Sequence, residues 1–566
     1  MAFKIIIVGA GLGGLACAIA CRRAGLEVVI LEKGPKLSEV GAGIQIPPNA
    51  TKIMQHFGLI PALLAAGAEP LRVTRLIDFE TGTTLGERPG FAWAKREFGE
   101  CWYTIHRADY QRVLADEALR LGTEIRFGTG VEHVHCKGKP WVRLENGERI
   151  DGDLVVGADD HSADQSGIGS TVRNFVYDKD PPFVSRGEVA YRAVIPKEKL
   201  EGLAGSAFEK LTKDDAMMWI WAGPGTHATA YSVRNGSIFN LVVLGPDDLP
   251  EGVSRATAER EQMEMACKDW DPLLRRIVRE ASTSVIKWKV VHMSELDTWV
   301  KDHVLLLGDA CHPTPPYQAQ GSAMAIEDGV CLGTLLSLHQ RSPLSRNAVS
   351  LSDLLGLYCD VRKERTALQD RGMRSNARLF QVNSEEERRE RGEVLGGLNW
   401  GVKGEKEGEE RDGGERRGKE MGAQEKWTWG DMRYQRELNG YDTVAATERA
   451  FRDFEHRGQS KRYPLLCQDH ALSTTAYEIM SSRIIRILRQ PRRSNGHHLN
   501  DPGRTSCWTG VAPAYGVHSG LLDVTVALKQ SHDEVLVSVI VDVAPHPVGH
   551  AVGQRAREVV VLVVGQ

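Results

Sequence analysis

The sequence predicts an α/β chain, α+β overall, on three observations. The first 35 residues alternate strand, glycine-rich turn, helix and strand. Residues 183–300 switch to a strand-rich pattern. A buried strand at 304–307 then returns the chain to a turn and long helices up to about residue 379. Composition permits such a fold: 566 residues suggest three or four domains, or two large ones with appendages, and 42% hydrophobic with 26% charged residues excludes collagen-like, fully disordered and disulfide-scaffold chains. A net charge of −4 from 71 basic and 75 acidic residues is too balanced for a protein that binds nucleic acid by neutralising phosphates. The ten cysteines show no CxxC and no zinc spacing, so they read as reduced thiols of a cytoplasmic chain, and no metal site is expected. The N-terminal apolar run stops at Gly9, too short for a signal peptide or a membrane span.

Each element has its own signal. Residues 3–8 are a β-rich run, 9–14 a glycine turn, 15–24 a small-residue helix stopped by Gly25, and 27–31 a second strand. Residues 107–121 read as an amphipathic helix. Residues 142–156 read as a hairpin turning at Asn146-Gly147, and 228–233 with 237–244 as two strands turning at Asn235-Gly236. Helices are expected at 322–340 and 351–379. Residues 403–426 hold 15 charged residues and almost nothing apolar, which predicts a disordered insert. Beyond residue 445 only the valine-rich runs 535–543 and 559–564 suggest strands.

Gly9-x-Gly11-x-x-Gly14 lies between a strand and a helix, as a dinucleotide-binding Rossmann-like turn requires. Gly9 permits the tight turn, Gly11 lets backbone approach a pyrophosphate, and Gly14 lets helix and strand pack closely. The helix N-terminus then offers unpaired N–H groups to the anion. Glu32 ends the second strand, where a carboxylate accepts both ribose hydroxyls. This alone does not separate NAD from FAD. A second block, Leu307-Gly308-Asp309-Ala310-Cys311-His312-Pro313, followed by a Pro-rich loop to Gly321-Ser322, favours FAD. Asp309 at a strand end suits a ribityl hydroxyl, and a helix starting at Gly321 and Ser322 suits the negative charge of a reduced flavin.

With these motifs, with Gly41-Ala42-Gly43-Ile44-Gln45 and with His106-Arg107-Ala108-Asp109, the chain resembles the group A FAD-dependent aromatic hydroxylases. The likeness is to the salicylate hydroxylase and 6-hydroxynicotinate 3-monooxygenase type, fungal members above all, over residues 3–390 and 427–442. It implies a p-hydroxybenzoate hydroxylase-like fold. The FAD-binding domain would comprise 1–180 and 296–390, interleaved with a β-rich substrate domain at 181–295. A charged insert would follow at 391–430 and a C-terminal extension at 431–566. It further implies that Arg107 contacts the flavin pyrophosphate, that Gly43 lies near the adenosine or ribityl portion, and that Gly321 and Ser322 border the isoalloxazine. The family's Gly-Ala-Asp-Gly motif is interrupted here: seven residues separate Asp159 from Gly167, which displaces a turn expected over the pyrophosphate.

The resemblance implies a monooxygenase that uses NADH or NADPH and O₂ to hydroxylate a small phenolic or pyridine substrate through a flavin C4a-hydroperoxide, with or without loss of a ring carboxylate. Such a pocket must favour the phenolate. Four residues are candidates: His227 and Tyr231, four apart on one strand and so on one face; Tyr317 in the Pro-rich loop; and Arg192, suited to a carboxylate or phenolate. His312 reads as structural. Two other readings stay open: a flavin oxidase or epoxidase acting on a polyketide-like secondary metabolite, and a non-catalytic flavoprotein, the latter resting on the interrupted Asp159 motif.

Overall fold

The computed structural model describes residues 3–37, 42–159, 169–179, 181–201, 217–281, 284–342, 349–398 and 428–462, together with four C-terminal strands. The expected insert at 403–426 and the interruption at 160–166 lie outside the described residues. The chain divides into two units, Met1–Leu466 and Cys467–Gln566.

The first unit is built on a six-stranded sheet. Lys4–Val8 pairs in parallel with Glu27–Glu32 on one side and Leu154–Gly157 on the other; Glu124–Phe127 and Val304–Leu306 extend it outward. Its central runs Ile5–Val8, Val28–Leu31, Leu154–Val156 and Val304–Leu306 are apolar and buried, as a sheet covered on both faces requires. The helix Leu12–Arg23 begins inside the glycine motif, with Gly11 as its N-cap, three residues earlier than the pattern suggested. It packs against the helix Gly321–Arg341 so closely that a Cβ on Gly329 would meet the Cys17 amide nitrogen at 2.6 Å.

The expected hairpin at 142–156 is corrected. Trp141–Leu144 and Arg149–Asp151 do form an antiparallel hairpin, with Val131–His135 as its third strand. Leu154–Gly157 leaves it for the centre of the parallel sheet. The reason is in the residues: Leu154–Gly157 is buried at every position, whereas Trp141–Leu144 alternates.

The second sheet has eight strands and is mainly antiparallel. Its centre is Phe183–Pro196, Ile238–Pro246, His227–Val233 and Met217–Ala222. Arg234 and Asn235, both at φ +56°, make the left-handed turn that a right-twisted hairpin prefers. Val73–Asp78 joins in parallel with Met217–Ala222 and carries Thr84–Pro89 at the edge, so the sheet draws strands from well before residue 181. One face packs under the helices Arg260–Ala266 and Pro272–Arg279. The other faces the nucleotide-binding half, through the helix Leu351–Phe380 and the aromatic layer Trp93, Trp102, Tyr231, Phe380 and Trp429.

The segment after the charged insert docks onto this unit. Trp429, Tyr434 and Leu438 are buried, and in the helix Thr443–Arg462 Phe451 is buried too, while Glu455 accepts a hydrogen bond from Ser342 Oγ at 2.6 Å. The second unit holds an antiparallel sheet in the order Trp508–Gly510, Leu522–Gln530, Val535–Val543, Arg557–Val564. Two of these strands match the valine-rich runs; the other two and the helix Thr443–Arg462 carried no clear periodic signal. Deleting residues 467–566 is therefore expected to leave FAD content and the main thermal transition of the first unit unchanged, as measured by flavin absorbance and scanning calorimetry. A cut at 450 is expected to lower the transition, because it removes Phe451 and Glu455 from their buried and bonded positions.

Candidate active site

The nucleotide end is shaped by glycines. Gly9 sits at φ +103°, and a Cβ there would stand 2.5 Å from the Ala158 carbonyl oxygen. A Cβ on Gly14 would collide with the Gly9 carbonyl, whereas one on Gly11 would meet nothing within 4 Å. Open ground thus lies before the first turn of the helix Leu12–Arg23, where an anion is stabilised. The Glu32 carboxylate accepts the Ala10 and Gly34 N–H groups, both at 2.8 Å, one on each oxygen. Each oxygen keeps a lone pair for a ribose hydroxyl. Gln111 Nε2 donates to the Ala10 carbonyl at 2.7 Å, while its buried Oε1 has no partner among the described residues. These residues fit the adenosine and pyrophosphate portion of FAD. Arg107 opens the helix Arg107–Arg120, with its N–H on the Ala42 carbonyl at 3.1 Å.

The interrupted motif closes across its insertion. The Asp159 carboxylate accepts the Ser170 hydroxyl at 2.6 Å and the Val172 N–H at 3.3 Å, at the start of the helix Thr171–Val176. Burial raises this carboxyl to about 6. Ser170 caps the helix through the Arg173 N–H, and the Arg173 guanidinium donates to the carbonyls of Asp309 and Ala310 at 3.4 and 3.3 Å. Asp159, Ser170 and Arg173 are therefore joined to the turn that carries Asp309, despite the intervening residues.

That turn, Gly308–Ala310, is held from below. Asp328 Oδ2 accepts the Gly308 N–H at 2.8 Å and His312 Nε2 at 2.6 Å; Asp328 Oδ1 accepts Arg362 Nε at 2.6 Å. Arg362 also binds Glu327 at 2.8 Å, which takes Arg365 and Asn49 as well. Glu327, Asp328 and Arg362 are fully buried, and their cationic neighbours hold Asp328 down at about 2 despite burial. His312 thus anchors the turn. Gly321 and Ser322 open the helix Gly321–Arg341; a Cβ on Gly321 would touch only Thr314 Oγ1 at 3.7 Å, leaving room for a planar ring system.

On the facing sheet, register sets which candidate residues share a face. Tyr231 pairs with Asn240 and Met218; Thr229 pairs with Val242, which pairs with Arg192. His227, Tyr231 and Arg192 accordingly share one face, as strand parity requires. His227 and Tyr231 nonetheless stand about 13 Å apart along their strand and have different neighbours. His227 is buried with its ring 5.3 Å from those of Tyr317 and Phe380, and its Nδ1 lies 3.4 Å from Gln381 Nε2. The Tyr317 hydroxyl donates to Glu188, which Gln381 also binds, at 2.8 Å. Burial pushes both tyrosines above the usual phenol range, with Arg192 opposing the rise at Tyr231. Arg192 stacks on Trp288 at 4.6 Å, and its buried Nε has no hydrogen-bond partner among the described residues. Gly43 meets this layer: its N–H donates to Asn240 at 2.9 Å, and a Cβ would lie 2.5 Å from the Tyr231 ring. It therefore packs on the substrate sheet, next to Arg107 through its pairing with His106.

Three contributors went unassigned in the sequence. Glu188 precedes Arg192 by four residues on the same strand, a parity signal that was available. Gln45 lies inside the Gly41–Gln45 motif and binds Trp102 and Met218 at 2.9 and 3.0 Å. Gln381 had no signal, since only the fold brings it to His227.

Burial and the nearby Arg186 lower the His227 imidazole to about 3, so it is neutral near pH 7. An unfolded chain would take up this proton below about 6.5 while the folded chain resists, so stability is full above that pH and falls as pH drops. The His227→Gln variant is expected to lose about 2 kcal/mol less than the parent between pH 6.5 and 5, by urea unfolding at both pH values.

A sequence profile described as an FAD binding domain matches residues 2–343. The chain is 34% identical over 373 residues to the FAD-dependent monooxygenase OpS4 of Beauveria bassiana (strain ARSEF 2860), covering 64% of this chain and 81% of that one. It is 32% identical over 337 residues to 6-hydroxynicotinate 3-monooxygenase of Pseudomonas fluorescens, covering 59% and 82%. Among solved structures, CtdE in complex with FAD and substrate superposes with a TM-score of 0.63 at 22% identity, covering 81% of this chain and all (100%) of that one. A salicylate hydroxylase substrate complex gives 0.61 at 18%, covering 79% and 98%. By the FAD binding domain profile and these relatives, the chain belongs to the FAD-dependent aromatic monooxygenases.

Proposed function

We propose that the protein hydroxylates a small phenolic or pyridine-type substrate with O₂ and NADH or NADPH, and that Arg192 and Tyr231 favour the substrate's phenolate. Bound FAD supplies the oxygen-activating chemistry. Gly9, Gly11, Gly14, Glu32 and Arg107 hold its nucleotide portion, Asp159 and Asp309 the turns beside it, and Gly321 and Ser322 border its ring. The carrying observation is Arg192: a guanidinium on the face of Tyr231, stacked on Trp288, whose buried Nε has no hydrogen-bond partner among the described residues. Such a group gains most when an anion arrives. A neutral His227 beside Tyr317 suits acceptance of a hydrogen bond, and the closely packed aromatic layer excludes water. The relatives' names include a hydroxynicotinate and two hydroxybenzoate hydroxylases, which supports an aromatic substrate here. The closure of Asp159 onto Ser170 disfavours a non-catalytic flavoprotein. A cytoplasmic location is supported by the eight described cysteines, all free.

The Tyr231→Phe and Arg192→Met variants should keep bound FAD yet form hydroxylated product about 10²-fold more slowly, the low end for a positioned proton-handling group. NAD(P)H oxidation should continue with release of hydrogen peroxide. The check is product formed per NAD(P)H consumed across a panel of phenolic and pyridine acids. An unchanged ratio in both variants would reduce them to packing residues.

A further inference from the structure

Residues 427–442 belong to the family resemblance, yet the hydroxylation reading gives them no task. In the structure they reach the Pro-rich loop 315–320. Gln318 Nε2 donates to the Tyr434 hydroxyl at 2.8 Å, and Gln320 Nε2 donates to Asn439 Oδ1 at 3.0 Å. Thr428 bears on the same loop more loosely: its hydroxyl lies 3.5 Å from Asn376 Oδ1, and Asn376 Nδ2 donates to the Tyr317 carbonyl at 3.0 Å. Gln318, Gln320, Asn376, Tyr434 and Asn439 are all buried, where losing a partner is costly.

Between the two glutamines lies Ala319, at φ +56°. A residue with a Cβ avoids this left-handed region, so the conformation persists only where neighbours fix it. Of the four non-glycine residues so placed among those described, Arg234, Asn235 and Asp302 turn from one strand into the next, and Ala319 does not. Gln318 and Gln320 fix it instead, one on each side, each bonded to a residue more than 110 positions later. A second feature is shaped to the same pair. A Cβ on Gly372, inside the helix Leu351–Phe380, would collide with Tyr434 Oη and Gln318 Nε2. Glycine is unfavourable in a helix interior; here it makes the seat for that hydrogen bond. Arg365 holds the far end of the helix Met432–Asn439 through the carbonyls of Glu437 and Leu438 while binding Glu327.

Both ends of the loop matter to the site. It carries Tyr317, whose ring lies 5.3 Å from that of His227, and it runs into Gly321, the first residue of the helix Gly321–Arg341. We propose that Tyr434 and Asn439 are positioning residues: through Gln318 and Gln320 they lock the 315–320 loop and so aim the first turn of the helix Gly321–Arg341 at the flavin ring. The proposal rests on the placement of Gly321 and Ser322 beside that ring. Its consequence is electrostatic. A helix N-terminus favours negative charge, which the ring gains on reduction. The locked loop therefore favours reduced over oxidised FAD.

The test reads the midpoint potential of FAD bound to the full chain, by reductive titration against a reference dye with no substrate present. Tyr434→Phe and Asn439→Ala should each lower the preference for reduced over oxidised FAD by about 2–5-fold. Adding Ala319→Gly should recover part of the loss in each, because glycine takes the left-handed conformation without anchors. A variant that no longer retains FAD is read by its FAD dissociation constant, which Ala319→Gly should improve. Phe451→Leu should lower the thermal midpoint and leave the potential at the parent value, since Phe451 packs in the core of the parallel sheet. A parent potential in Tyr434→Phe or in Asn439→Ala, no recovery with Ala319→Gly, or an equal shift in Phe451→Leu overturns the proposal. Ser322→Asp tests the placement on which it rests: a carboxylate beside the ring should lower the potential. A parent potential in Ser322→Asp overturns that placement and the proposal with it. A potential lowered by Ser322→Asp but not by Tyr434→Phe or Asn439→Ala overturns the proposal alone.

Discussion

Replacing Arg362 by methionine should lower the thermal midpoint of the main unit by about 3–5 °C, the equivalent of about 3–5 kcal/mol for a unit of this size. Arg362 is fully buried and bridges two fully buried carboxylates, donating to Asp328 at 2.6 Å and to Glu327 at 2.8 Å. Removing it leaves both acids short of a cation in a medium where an uncompensated charge is far costlier than the ion pair was favourable. Glu327 keeps Arg365 and Asn49, and Asp328 keeps His312 and the Gly308 N–H, so the unit should still fold at low temperature. The second consequence is functional. Asp328 holds the Gly308 amide, and with it the turn that presents Asp309, so FAD occupancy should fall together with stability. Arg365→Met should cost less, because Glu327 then retains Arg362. A midpoint within 2 °C of the parent for Arg362→Met would show that the carboxylates are met from elsewhere; scanning calorimetry decides it.

Glu32→Ala should weaken FAD binding by about 10²–10⁴, through loss of two charge-assisted hydrogen bonds of about 1.5–3 kcal/mol each. Both carboxylate oxygens already hold backbone N–H groups of Ala10 and Gly34, so the side chain is fixed before any ribose arrives. That pre-organisation means little side-chain entropy is lost on binding. The alanine variant also frees the two amides and loosens the glycine turn, which acts in the same direction. Glu32→Gln retains an acceptor and should lie between the two. The measurement is the FAD-to-protein ratio after gel filtration and the dissociation constant by flavin fluorescence. A parent-like constant for the alanine variant would assign Glu32 to loop support alone.

The nucleotide half was legible because its signals are local. The spacing of Gly9, Gly11, Gly14 and Glu32 sits within 24 residues of one strand–turn–helix–strand unit; Gly9 and Gly14 have steric reasons in the structure, Gly11 fronts open space, and Glu32 holds two backbone N–H groups. The hairpin at Asn235-Gly236 was legible for the same reason. Leu154–Gly157 was misassigned because two neighbouring strands were read as one pair; the change from alternating to continuous apolar residues marks where one sheet ends and another begins. The substrate face was half legible. Parity placed His227 and Tyr231 together, but parity says nothing about what lies opposite. Gln381 reaches His227 across 154 residues, and Gln45 reaches Met218 across 173.

The strand order of the parallel sheet has a consequence for the nascent chain. Lys4–Val8 emerges first but waits for Leu154–Gly157, which waits for Val304–Leu306, while the Asp309 turn is secured only once Arg362 is made. At about 5–20 residues per second, a ribosome needs roughly 20–70 s to supply that last residue. For much of that time Lys4–Val8 can pair with Glu27–Glu32 only, and the far side of the sheet stays unfinished until Val304–Leu306 is made, while the intervening antiparallel sheet can already assemble. Synthesis rate and chaperone supply, more than the stability of the finished protein, should therefore govern how much active protein a host recovers.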